Sequence, residues 1–261
     1  MPYVIAICHQ KGGVAKTTTA LALGACLVEQ RCETLLIDLD PQANLTSGLG
    51  LNPIEVRRSA ADVLLGNETV LRMSRETRVP GMDLVPSNAD MVTVAQFLYV
   101  RKLYEYILRD SLARPEVAHY EAVLADCPPT LGPITINALT AANMVIIPTQ
   151  CEYFSVQALD SVLKLINLVR AKTNPHLVYR LLVTMFDQRG HLHSRVLEHL
   201  RQHFGDSLLQ TVIGFDSKLR ESQLVGQPIT VHARQSRGTQ QYRQLAEELL
   251  TYVRRQVHPA A

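Results

Sequence analysis

Apolar residues run along this chain in short, nearly unbroken and often β-branched stretches: YVIAIC (3–8), TLLIDL (34–39), MDLVPS (82–87), AVLADC (122–127), MVIIPT (144–149), VYRLLVT (178–184) and TVIG (211–214). A strand with one wet face alternates apolar and polar positions. Runs that stay apolar at consecutive positions mark strands buried on both faces, as in a parallel sheet with helices above and below. Between them, apolar positions recur at helical spacing over 17–30, 92–113, 155–173, 191–204 and 238–257. This rhythm predicts an α/β fold, a doubly wound and mostly parallel sheet flanked by helices. No repeat, low-complexity linker or Gly/Ser hinge interrupts the pattern, so a single domain over 1–261 is expected, with no helix-turn-helix ahead of the first strand.

Composition narrows the class. With 47% hydrophobic residues in 261, the chain can bury a large core. The first residues, MPYVIAICHQ, lack a basic stretch followed by a long apolar run, and no later segment offers the ~18 uncharged apolar residues of a membrane span. A cytoplasmic location is expected. Cys8, Cys26, Cys32, Cys127 and Cys151 form no CxxC pair, which argues against a zinc ribbon or disulfide framework and for reduced packing residues. The net charge of +2 conceals an asymmetry: residues 1–170 carry 14 Lys+Arg against 17 Asp+Glu, whereas 171–261 carry 12 against 7. The basic part is the C-terminal third, a weak pointer to nucleic acid by itself.

The first run leads into HQKGGVAKTTTALALGACLVEQ. Gly12 and Gly13 permit tight turning and close backbone approach, and a helix opens at Thr17. Successive backbone N–H groups of Gly12, Gly13, Val14, Ala15, Lys16, Thr17 and Thr18 then surround a polyphosphate at the positive end of a helix. Lys16 is placed to neutralise the terminal phosphates and the Thr17 hydroxyl to ligate Mg²⁺. The six fixed positions of KGG..KTT arise by chance at roughly one in ten million positions. Two further runs end in acids, Asp38 and Asp40 in DLDPQANLTSGLG and Asp126 in DCPPTLGP. Phosphoryl transfer needs carboxylates there, one to hold Mg²⁺ and one to orient the attacking water.

The extra lysine, Lys11, five residues before Lys16, is unnecessary in a general phosphate loop. With it the chain resembles the ParA/MinD group of deviant Walker ATPases, and in particular the short ParA/Soj proteins. The resemblance extends through DLDPQANLTSGLG, PSNADM (86–91), DCPPTLGPITINAL (126–139), PTQCEYFSVQAL (148–159), LVTMFDQRGHLHSRV (182–196) and QPITVHARQSRGTQQYRQLAEEL (227–249). It implies a slow ATP hydrolase whose cofactors are ATP and Mg²⁺. ATP binding makes a homodimer in which Lys11 reaches the partner's nucleotide; Lys11, Lys16 and Asp40 carry catalysis, and Thr17, Asp40 and Asp126 serve the metal. Asp38 is expected to support the metal shell or pair with a lysine. The resemblance further implies nonspecific DNA binding through Arg189, Lys218 and Arg220, with Arg195, Arg234 and Arg237 as further candidates. A ParB-like adaptor would stimulate hydrolysis, giving a nucleoid-associated protein that positions a plasmid, a chromosome or a protein organelle.

Two departures from the family stand out. Ala15 occupies a position the family gives to glycine, where alanine is penalised if φ is positive. The family's Pro-Arg-Asn segment, which helps hold adenine, is replaced by Gly214, Phe215 and Asp216, leaving the backbone near Gly214 and the side chain of Glu221 as base contacts. Two other readings within the superfamily are a MinD-like membrane-associated ATPase and an iron-protein-like metabolic ATPase. The first needs an aromatic and lysine-rich amphipathic helix, whereas Leu245, Leu249, Val253 and Val257 in the last helix suit packing on the sheet, so no stable membrane association is expected. The second needs cysteines that bridge a cluster between subunits, with Cys127 the nearest candidate.

Overall fold

A computed structural model of the chain describes residues 1–189 and 191–257. In chain order its elements are β1 (Tyr3–Ile7), α1 (Lys16–Glu29), β2 (Thr34–Asp38), α2 (Asn44–Gly48), α3 (Ala60–Leu64), α4 (Val70–Met73), β3 (Arg75–Glu76), β4 (Met82–Val85), α5 (Met91–Val100) and α6 (Ile107–Leu112). There follow β5 (Ala122–Asp126), α7 (Pro133–Ala141), β6 (Met144–Gln150), α8 (Tyr153–Lys172), β7 (Val178–Phe186), α9 (His191–Phe204), β8 (Leu208–Gly214), α10 (Ser217–Leu224), α11 (Ile229–His232) and α12 (Arg237–Val257).

One eight-stranded sheet carries the fold, in the order β3-β4-β2-β5-β1-β6-β7-β8, with every pair parallel except β3–β4. The unbroken apolar runs are explained by burial on both sides. Tyr3, Ile5 and Ile7 pack with α1 and α12 on one face, while Val4, Ala6 and Cys8 point into a second core under α3, α5, α7 and α8. Helix α1 lies very close to the sheet: a Cβ on Gly24 would stand 2.7 Å from Leu36 Cδ2. Helix α12 seals the same face with Tyr242, Leu245, Leu249 and Val253, all fully buried, and the Tyr242 hydroxyl is 3.0 Å from that of Thr19 in α1. The apolar stripe of the last helix is thus spent on the core; the side chain of Val257 lies outside the described residues.

The structure departs from the sequence pattern at several places. The expected helix over 92–113 is two helices, because Leu103 adopts a left-handed conformation (φ 58°) between α5 and α6. The Arg101 guanidinium, just before this break, binds the Leu65 carbonyl. Strand β4 stops at Val85 because Pro86 offers no N–H to a ladder. Strand β8 starts three residues before its expected boundary. It is an edge strand, and Glu248 of α12 accepts hydrogen bonds from Gln210 N and Thr211 N at 2.8 and 3.1 Å. Helix α7 and the short β3 had no expectation attached; α7 opens on Pro133, which suits a first helical position.

Candidate functional site

Strands β1 and β5 lie side by side at the middle of the sheet, and the chain leaves β1 toward β2 on one side and returns to β6 on the other. The carboxyl end of such a switch point is where ligands settle in open α/β sheets. The loop after β1 occupies it. Gly13 has φ +74°, and Cβ atoms added at Gly12 or Gly13 would meet nothing within 4 Å, so the loop backbone borders open space. That space is a cavity of about 700 Å³ whose wall includes Gly12, Gly13, Lys16, Thr17, Asp40 and Arg220. Protein groups hold the loop from outside: Thr184 Oγ1 donates to the Val14 carbonyl at 3.1 Å and Gln150 Nε2 to the Gly13 carbonyl at 3.1 Å.

Ala15 sits in the left-handed region at φ 69°, ψ 32°, directly before the first helical residue. The family's glycine is therefore replaced where glycine is conformationally favoured, at a cost of roughly 1–2 kcal/mol. Upstream, His9 is fully buried. Its Nδ1 accepts the Lys11 N–H at 2.9 Å, while Nε2 has no partner. Burial first, then the charges of Lys16 and Lys11, push its imidazole down to about 4, so it is neutral near pH 7.

Lys16 and Lys11 have different surroundings. Lys16 is buried in the cavity wall, with Nζ 3.5 Å from the Lys11 carbonyl. Lys11 is absent from that wall; its Nζ donates to Glu152 Oε2 at 2.7 Å and Gln150 Oε1 at 3.1 Å.

The acids form a layered set. Asp38 and Asp126 are in register on β2 and β5, and both are almost wholly buried. Burial lifts the Asp38 carboxyl to about 6, against the hydrogen bonds it accepts from Thr46 and Asp40 N. Asp38 thus pairs with a hydroxyl and two N–H groups rather than with a lysine. Asp126 is raised well above the ordinary carboxylate range, by burial first and then by the Asp38 charge. Its Oδ2 accepts from Thr17 Oγ1 at 2.7 Å, and its Oδ1 is buried without a partner. An unsatisfied carboxylate oxygen beside a hydroxyl fits a divalent cation. Among the described residues no group of three or more His, Cys, Asp or Glu could hold a metal ion. An ion at Thr17 and Asp126 must therefore complete its shell with phosphate oxygens and water, as Mg²⁺ does. Asp40 lies in the cavity wall, its Oδ1 accepting the Gln42 N–H at 2.9 Å and its carbonyl accepting from Ser87 Oγ at 2.7 Å.

The two residues expected at the base do not lie together. Next to the main cavity lies a narrower, largely apolar cleft that shares Ala15, Thr18, Met185 and Arg220 with it and adds Gly214, Phe215 and Tyr242. Gly214 is thus at the cleft, but Glu221 is not. The helical turn of α10 points Glu221 elsewhere, into an ion pair with Lys218 at 2.6 Å. Arg220, expected on a DNA-facing surface, is exposed and also borders the cavity. Arg189 and Lys218 are on the outside, each paired with an acid: Arg189 with Asp187 at 3.1 Å and Lys218 with Glu221. Sequence reasoning missed Gln150, Thr46 and Gln223, whose amide donates to Thr18 Oγ1 at 2.8 Å and ties α10 to α1. Polar residues in unremarkable positions carry no signal until the fold brings them to the loop.

All five cysteines are free and buried. The Cys127 thiol is pushed well up, by its contact with Cys8 first and then by burial, so it is neither a surface ligand nor a ready thiolate. This removes the basis for a cluster bridging two subunits. No helix among the described residues is long and apolar enough to cross a membrane.

A phosphate loop joining the central strand of a doubly wound sheet to its first helix, with acids at the ends of adjacent strands, is the architecture of P-loop nucleoside triphosphatases. The family described as "AAA domain" matches residues 3–179. The chain is 38% identical over 250 residues to the chromosome partitioning protein ParA of Caulobacter vibrioides, covering 95% of this chain and 94% of that protein. It is equally 38% identical to the sporulation initiation inhibitor protein Soj of Bacillus subtilis, covering 95% and 98%. Among solved structures, cobyrinic acid a,c-diamide synthase from Mycobacterium smegmatis, with bound ATP analog and magnesium, matches with a TM-score of 0.84 at 35% identity, covering 99% of this chain and 97% of that one. The chain belongs to the ParA/Soj family of deviant Walker ATPases.

Proposed function

We propose that this chain is a ParA-type positioning ATPase that binds ATP and Mg²⁺, dimerises on ATP, grips DNA without sequence preference and lets go after hydrolysis. The observation that carries the reading is the position of Lys11. It sits on the loop yet outside the loop's own cavity, held at its rim by Glu152 and Gln150. A surface ion pair of this kind is worth ~0–1 kcal/mol and yields readily to a phosphate offered by a second copy.

Within one subunit the loop N–H groups and Lys16 hold the β and γ phosphates, and Thr17 with Asp126 forms the protein side of the Mg²⁺ site. Mg²⁺ supplies neutralisation of phosphate charge as the leaving oxygen departs. Asp40 orients the attacking water with the carboxylate oxygen that does not bind Gln42. Water adds to the γ phosphorus, the bond to the bridging oxygen breaks, and ADP and phosphate leave. Lys11 of the other subunit stabilises the charge developing in transfer, which makes closure and catalysis one event. A ParB-like adaptor speeds this slow step and so sets where on the nucleoid the protein and its cargo reside.

For DNA, Arg189 and Lys218 are exposed and exchange their acid partners for backbone phosphates, giving affinity that falls steeply with salt. ATP and ADP must bind the two states unequally for the cycle to run. Retention on DNA at low salt should need ATP, vanish in Lys16→Ala and persist in Asp40→Ala, whose hydrolysis is blocked. Equal retention without nucleotide would sink the reading.

A further inference from the structure

Arg220 stands out among the basic residues of the C-terminal third. Arg189 and Lys218 are each paired with an acid two or three residues away in the chain, and the Arg237 guanidinium is taken up by the Phe215 carbonyl. Arg220 has no ion pair or hydrogen bond among the described residues. Its guanidinium faces an aromatic ring, the guanidinium carbon 5.4 Å from the centroid of Phe215. Phe215 is itself 51% exposed, unusual for an aromatic at the end of a buried strand.

The location of this pair is informative. Arg220 borders both the phosphate cavity and the narrower cleft, while Phe215 borders the cleft. The shared wall of Ala15, Thr18 and Met185 leads from Lys16 and Thr17 toward the Arg220–Phe215 pair. Helix α10, which carries Arg220, is fixed to the first turn of α1 by the Gln223–Thr18 hydrogen bond. The guanidinium is therefore carried by a helix tied to the one that bears Lys16 and Thr17.

The geometry points to Arg220, backed by Phe215, as the platform that recognises the nucleobase: a planar cation whose face stacks on a purine ring. This inference rests on the ATP-binding reading and assigns the base contact to a side chain different from Glu221. A guanidinium is flat, weakly hydrated and suited to stacking, which an ammonium is not. Such contacts are tolerant of base identity, so the platform selects base-bearing triphosphates over bare polyphosphate rather than adenine over guanine.

The test compares dissociation constants for ATP and for inorganic tripolyphosphate, both with Mg²⁺, by calorimetry on the full chain. Arg220→Ala should weaken ATP roughly five- to tenfold and leave tripolyphosphate unchanged. Arg220→Lys, which keeps the charge, should lose most of the same affinity. Equal weakening of both ligands by Arg220→Ala would overturn the proposal in favour of a phosphate contact. Unchanged ATP affinity together with weaker DNA binding would overturn it in favour of a DNA contact. Lys16→Ala separates the two levels: if it abolishes both ligands while Arg220→Ala alters neither, the ATP site stands and the base platform falls. Arg220 is on the surface, and matching melting curves without nucleotide verify that the variants are folded.

Discussion

At the scale of single residues, the phosphate loop carries a cost and a charge constraint, and both are measurable. Ala15 holds a left-handed backbone. Ala15→Gly relieves ~1 kcal/mol of that cost but returns ~0.4–1 kcal/mol as freedom of the unfolded chain. Its melting temperature should therefore move little, whereas the β-branched Ala15→Val should destabilise by at least ~1–2 kcal/mol in a urea titration. His9 sets a pH dependence. Its folded value near 4 lies below the unfolded 6.5, so the unfolded chain takes up the proton first as pH falls. The stabilisation is complete above the unfolded value and is lost as pH drops through 6.5 toward 4. Between pH ~7.5 and ~5 this amounts to roughly 2 kcal/mol, and His9→Gln should remove that part of the slope in urea titrations at the two pH values. The loop lysines and glycines were legible in the sequence because their spacing is improbable. The left-handed Ala15 and the unpartnered His9 nitrogen were not, since each is fixed only by the path of the loop in the folded chain.

At the scale of elements, the long apolar runs and the long helices were legible because burial on two faces leaves an unbroken pattern and helical stripes repeat over many turns. The split between α5 and α6 was not, because one left-handed residue at Leu103 leaves the apolar pattern on either side intact. Helix α10 was missed for a related reason: it is short and polar, yet it brings Arg220 and Gln223 to the wall of the phosphate-loop cavity. The packing of α12 on α1 gives a direct test. Tyr242→Ala empties a fully buried site and should cost ~3–5 kcal/mol, whereas Tyr242→Phe removes only the bond to Thr19 and should cost about 1 kcal/mol. Denaturant midpoints at constant slope measure both. A small effect of the alanine variant would mean that α12 contributes little to holding the phosphate-loop helix.

At the scale of the whole molecule, the proposed shared site makes Lys11 the residue on which assembly is tested. Lys11→Ala should leave ATP binding within a few-fold of the parent while abolishing the ATP-dependent dimer, read by light scattering after gel filtration. A variant that still dimerised would remove Lys11 from the proposed shared site. What the sequence by itself determined was the class of sheet, the phosphate loop and the acids at the strand ends, because periodicity and closely spaced motifs are local properties. Only the tertiary structure decided which side of α10 borders the cavity, which lysine lines it and which carboxylate oxygen lacks a partner. Those depend on residues as distant in sequence as Lys11 and Glu152, or Thr18 and Gln223, and no local pattern encodes a contact made by folding the sheet around its central strand.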